Sequence, residues 1–185
     1  MKKKVFIILI TAMLMICIFI PKIYANESNI TVKLPSFPVT LNGTSIENKI
    51  SRYPLIVYKD ITYFPMTYYG CRFLGLESIW DARIGLTIEK TGANWSYHEY
   101  QAEKPNYNSY SAKISPFNIK INGKNIDNSR EEYPLLLFRN ITYFPLTWRF
   151  TVEEFAWKYS FDNTKGLVIS STGGGTSAGQ ITLPI

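Results

Sequence analysis

The chain has 185 residues, of which 46% are hydrophobic, 15% aromatic and 18% charged. That balance excludes a disordered or collagen-like chain and leaves room for one domain or two small ones. The formal charge of +6 comes from 20 basic and 14 acidic residues; without Lys2, Lys3, Lys4 and Lys22 it is 16 against 14, or +2. No block of like charge then remains to suggest nucleic acid or an anionic lipid surface as a partner.

Lys2 to Lys4 form a positive start, Val5 to Ile20 is almost unbroken apolar sequence, and Pro21 ends any helix. Ile23-Tyr24-Ala25 offers a small residue for cleavage, so residues 1–25 read as a signal peptide. The apolar run falls short of the roughly 20 residues of a comfortable membrane span. Contact with a membrane is therefore expected only through this segment, if it stays uncleaved. Bulky Ile16 ahead of Cys17 argues against a lipoprotein signal. Beyond residue 25 the one cysteine is Cys71, so no internal disulfide is available. It reads as a small apolar residue on a packed helix, with pairing between chains left open.

Two copies of one module follow, at residues 31–90 and 116–171. FPVTLNGTSIENKISRYPLIVYKDITYFPMT from Phe37 aligns without a gap on FNIKINGKNIDNSREEYPLLLFRNITYFPLT from Phe117. In each copy Asn-Gly (Asn42-Gly43, Asn122-Gly123) separates two short runs, a strong hairpin signal. Pro54 to Tyr58 and Ile61 to Phe64 flank Lys59-Asp60, a second hairpin, which Pro65 ends. Helical spacing of Met66, Phe73 and Leu74, and of Trp148, Val152 and Phe155, predicts a helix next, with Thr67 and Thr147 as N-caps. After those threonines copy two gains one residue; the register resumes at Trp80-Asp81 and Phe161-Asp162, then Gly85-Leu86 and Gly166-Leu167. A last hairpin turns at Asp81 and Asp162. The expected fold class is α+β: two small modules, each an antiparallel sheet of hairpins with one helix packed on it.

A module of this size is marginal alone, hiding only ~60% of its unfolded surface. The copies are therefore expected to pack together or share sheet edges. Residues 91–115 form an aromatic-rich linker with Trp95, Tyr97, Tyr100, Tyr107 and Tyr110, and Trp95 and Tyr97 in particular are expected to lie against a module. Residues 172–185 read as a Gly/Ser/Thr-rich tail ending in Ile181-Thr-Leu-Pro-Ile185, a loose echo of Ile30-Thr-Val-Lys-Leu-Pro35.

Asn-Gly, a Pro-led strand, aromatic-Phe-Pro, a helix and an aromatic-Asp turn, in that order and twice, resemble the copper amine oxidase N-terminal domain-like module. This is the stalk domain of secreted Gram-positive proteins. The resemblance implies an α+β fold and a secreted or cell-surface setting. It implies neither copper nor oxidase chemistry. The family often has Arg shortly after the Pro, where this chain has Thr67 and Thr147.

The residues point the same way. A copper site with imidazole ligands needs several histidines, and His98 is the only one. Cys71 with His98 is the one possible cysteine–histidine pair, with no third group to orient it. Asn106-Tyr107-Asn108 reads as a polar turn, Asp81 and Asp162 as turn caps, and Glu153-Glu154 as a solvated helix face. No catalytic, cofactor-binding or metal-ligating residue is assigned, and no cofactor is expected. The expected function is a non-catalytic spacer or adaptor that engages a protein. The alternatives are a glycan- or cell-wall-binding module and, third, an enzyme of unknown type. Exposed, coplanar rings would favour the glycan; buried rings would favour the spacer.

Overall fold

The computed structural model describes residues 29–171; the expected signal peptide and tail lie outside them. Copy one runs β1 (Ile30–Lys33), β2 (Val39–Leu41), β3 (Thr44–Ser45), β4 (Ile56–Tyr58), β5 (Ile61–Pro65), α1 (Tyr68–Phe73), β6 (Leu76–Asp81) and β7 (Gly85–Lys90). Copy two repeats this as β8 (Ser109–Ile114), β9 (Ile119–Ile121), β10 (Lys124–Ile126), β11 (Leu136–Phe138), β12 (Ile141–Pro145), a π-helical turn (Arg149–Glu154), β13 (Trp157–Asp162) and β14 (Gly166–Ser171). The turn pairs Asn42-Gly43, Lys59-Asp60, Asn122-Gly123 and Arg139-Asn140 all have positive φ, which suits the right-handed twist of two-residue hairpins.

The copies are interlocked. Strands β1, β4 and β5 of copy one and β12, β11 and β8 of copy two close a six-stranded barrel. Phe64 lies opposite its own repeat, Phe144, and Thr31 opposite Ser111. A pseudo-twofold axis therefore runs through the barrel. Alternation on β5 and β12 turns Tyr63 and Tyr143 towards a barrel core with Val32, Ile56 and Leu136. Phe64 and Phe144 turn to the other side, into a larger core that both copies fill.

Outside the barrel stand two four-stranded sheets, β10-β9-β7-β6 and β13-β14-β2-β3. Each joins the first hairpin of one copy to the last hairpin of the other, through the parallel pairs β7–β9 and β14–β2. Glycine permits the approach. At Gly85 (φ +98) a Cβ would collide with the Asn118 carbonyl, and at Gly166 (φ +73) with that of Pro38. The asparagines of the Asn-Gly turns fasten the junctions. Asn42 donates to the Phe73 carbonyl (2.8 Å) at the end of α1 and accepts from Ser171 N–H (2.8 Å) of the other copy. Asn122 does the same with the Glu154 carbonyl (2.9 Å) and Lys90 N–H (3.0 Å).

The expected α+β class is thus corrected: the protein is mostly β, with a closed barrel and mixed sheets. Among the described residues the helical segments are α1 and the π turn, six residues each. At 1.5 Å per residue α1 spans about 9 Å, too little to cover a sheet. The apolar spacing from Met66 to Leu74 was genuine but short, bounded by Pro65 and by Gly75 at φ +75. Hairpin signals are local, so they identify paired neighbours and leave open which copy completes each sheet. The Thr67 hydroxyl does cap α1, accepting from Gly70 N–H (3.2 Å).

The extra residue of copy two sits in the π turn, where Phe155 N–H donates to the Phe150 carbonyl five residues back (3.1 Å). Residues 91–115 contain β8, a barrel strand and the repeat of β1. Tyr97 packs on Phe73, ring centroids 5.2 Å apart, as expected. Trp95 meets the expectation only in part: its backbone N–H donates to the Arg72 carbonyl (2.9 Å) and its ring lies 5.2 Å from the Arg72 guanidinium, yet the residue is 53% exposed.

Candidate functional site

The chemistry-bearing side chains named from the sequence are dispersed. Cys71 is fully buried with its Sγ 3.6 Å from Met66 Sδ. Burial pushes its thiol up to about 12, opposed by a hydrogen bond to Ser78 and the charge of Arg72. A thiol held so far above its ordinary range is a packing group and a poor nucleophile. The His98 ring instead meets that of Tyr69 at a 45° tilt, centroids 4.5 Å apart, and makes no hydrogen bond to Cys71. Asp81 accepts from the backbone N–H groups of Arg83 (2.8 Å) and Ile84 (3.0 Å). Asp162 accepts from those of Thr164 (2.8 Å) and Lys165 (2.9 Å), which hold its carboxyl below the usual range. Both are turn caps, as the sequence reads. Glu153 faces solvent, and Glu154 receives Asn122 Nδ2 at 3.2 Å.

Asn106 is buried, not a solvated turn residue. Its amide donates to the Asn48 (2.8 Å) and Ser51 (2.7 Å) carbonyls, and its oxygen accepts from Tyr110 Oη (3.0 Å) and Arg139 (2.8 Å). It ties the linker to both copies. Among the described residues no group of three or more His, Cys, Asp or Glu side chains is placed to hold a metal ion. The hydroxyls of Tyr63 and Tyr143 are buried in the barrel with no hydrogen-bond partner, and desolvation raises both.

A groove of about 600 Å³ opens where the copies meet. Copy one supplies Met66 and Tyr68 from the β5–α1 corner, Ser78 and Trp80 from β6, and Leu86 from β7; copy two supplies Phe117 and the β11–β12 hairpin with Leu137 and Asn140 to Thr142. Pro65 ends β5; beyond it Met66 turns into the core at the floor of the groove and Tyr68 stays exposed, while Ser78 and Trp80, two apart on one strand, share a face. Trp80 is 53% exposed and Tyr68 48%, values high for rings of this size. Trp80 and Phe117 meet edge to face, centroids 4.6 Å apart at 73°. The Arg72 guanidinium lies 3.6 Å over the Tyr68 ring and pairs with Glu77, which holds that wall in place. Among the described residues, no ionisable acid or base other than Tyr68 lines the groove.

The sequence reading did not single out Tyr68, Phe117 or Asn140, and gave Trp80 only as a repeat marker. Its one available signal was the repeat itself. Tyr68, Trp80 and Phe117 correspond to Trp148, Phe161 and Phe37, aromatic at all three positions in both copies. Trp148 and Phe161 are likewise exposed, and Phe37 meets Phe161 edge to face at 5.0 Å. Packing explains rings kept inside; it does not explain rings kept outside.

No family model, curated protein or solved structure matches this chain.

Proposed function

We propose that the chain is a non-catalytic interaction module acting outside the cell, an adaptor that engages a protein partner. The composite groove at the junction of the copies supports this reading. Exposed Trp and Tyr, with Met at the floor of the groove, are residue types enriched at protein interfaces. The signal-like first 25 residues and the resemblance to secreted stalk modules support the extracellular setting. The glycan alternative asks for coplanar exposed rings. Trp80 and Phe117 stand at 73° and form a corner, not a flat stacking platform.

The test is capture by immobilised residues 26–185 from a secreted-protein fraction and, separately, from purified cell wall. Wild type should retain a discrete protein that the Phe117→Ala, Tyr68→Ala double variant loses. Retention of wall glycan alone, or equal retention by both forms, contradicts the proposal.

A further inference from the structure

We infer that the groove is a socket for an aromatic side chain of the partner, a tyrosine before any other. This rests on the adaptor reading and names what the partner presents.

The two copies supply the argument, because one of them carries its own occupant. Ten residues line the groove of copy one. Leu86, Phe117, Ile141 and Thr142 are identical at the corresponding places in copy two, and Asn140 gives way to Asp60, of nearly the same size. The other positions exchange apolar for apolar or aromatic for aromatic, with a single exception: Ser78 corresponds to Tyr159. Strand register makes this match structural. Ser78 lies opposite Ile88 on β6–β7, and Tyr159 opposite Ile169 on β13–β14. Tyr159 stands two residues before Phe161, so both side chains leave the same face of β13. Its ring is partly buried against the larger core. Copy two thus fills its own corner with a phenol. Copy one has a serine there, and the same walls stand open around about 600 Å³.

Those walls suit such a ring. Trp80 and Phe117, edge to face, form an aromatic corner, where an aromatic occupant gains contacts beyond its buried area that an aliphatic one lacks. The Ser78 hydroxyl and the Asn140 amide stand among the apolar walls. They are hydrogen-bonding partners for a side chain that is apolar along its body and polar at its tip.

The probe is N-acetyltyrosinamide, titrated into isotope-labelled residues 26–185 and followed by NMR at the tryptophan indole N–H signals. It should shift Trp80, leave Trp148 in place, and bind roughly tenfold tighter than the leucine amide or N-acetylglucosamine. Ser78→Tyr, which installs copy two's own ring, should abolish the Trp80 shift without lowering the denaturation midpoint. Trp80→Ala, which removes a wall and adds no bulk, should weaken the probe roughly tenfold. Tyr159→Ser, the reciprocal change, should open a second socket, so that Trp148 shifts too. Equal binding of the tyrosine and leucine amides, tighter binding of N-acetylglucosamine, or a Trp80 shift that survives Ser78→Tyr would overturn the assignment. So would a dimer that Ser78→Tyr converts to a monomer, since a second copy would then be the occupant. In the capture experiment Ser78→Tyr should lose the partner. Capture that survives Ser78→Tyr but not the loss of Phe117 and Tyr68 leaves the adaptor reading standing and removes the socket. A probe that binds as expected while no protein is captured does the reverse.

Discussion

Gly85 shows what single residues do in this protein. Its φ of +98 and the Asn118 carbonyl beside it leave no room for a Cβ, and Leu86 N–H donates to that carbonyl at 2.9 Å. Gly85→Ala combines a disfavoured backbone with overpacking and should destabilise by about 3 kcal/mol, read as a lower denaturation midpoint. The buried Cys71 thiol makes a separate prediction. Its ordinary value is 9.0, and the folded chain holds it near 12. The unfolded chain therefore loses the proton first. Stability from this group is complete below pH 9 and falls as pH rises from 9 towards 12. Raised Tyr63 and Tyr143 act in the same direction from about pH 10 upward. Denaturant titrations at pH 7, 9 and 10.5 should give steadily lower midpoints, and the first part of the loss should vanish in Cys71→Ala.

Between the copies' helical segments lies one inserted residue. α1 closes with Gly75 at φ +75, while the π turn closes with Ala156 at φ +56 in the same place. Alanine there sits in the left-handed region that glycine tolerates. Ala156→Gly should stabilise the protein by roughly 0.5–1 kcal/mol, seen as a raised midpoint; Gly75→Ala should do the reverse. These elements also mark how far the sequence could be read. The Asn-Gly hairpins, the Lys59-Asp60 turn, the aspartate caps and the Thr67 cap were legible because each depends on adjacent residues. The repeat was legible from Phe37 onward, but its true start was not. Thr31 pairs with Ser111 in the barrel, yet β1 and β8 share too few residue identities to align by eye. Trp157 shows the same limit: its Nε1–H donates to the Leu74 carbonyl (2.8 Å), 83 residues away, which no local pattern announces.

At the scale of the whole molecule, neither copy owns a complete sheet. Each four-stranded sheet and the barrel draw strands from both, and the larger core mixes Phe64, Leu74 and Leu86 with Phe144, Phe155 and Trp157. The groove follows from this, since Trp80 and Phe117 come from different copies. The α+β reading failed because its helices are six residues each, too short to cover a sheet; the expectation that the copies share sheet edges did not extend to a closed barrel. Duplication thus produced one body, not two beads, and one denaturation transition is expected of it.

The most direct test of this interlocking is sedimentation, with circular dichroism, of residues 26–108 expressed alone across a wide concentration range. Without copy two, the barrel and both outer sheets are open. The isolated copy should therefore be unfolded when dilute, and any folded material should sediment as a dimer, with Phe64 paired to its own copy as it now pairs to Phe144. A folded, cooperatively unfolding monomer of residues 26–108 would contradict the account.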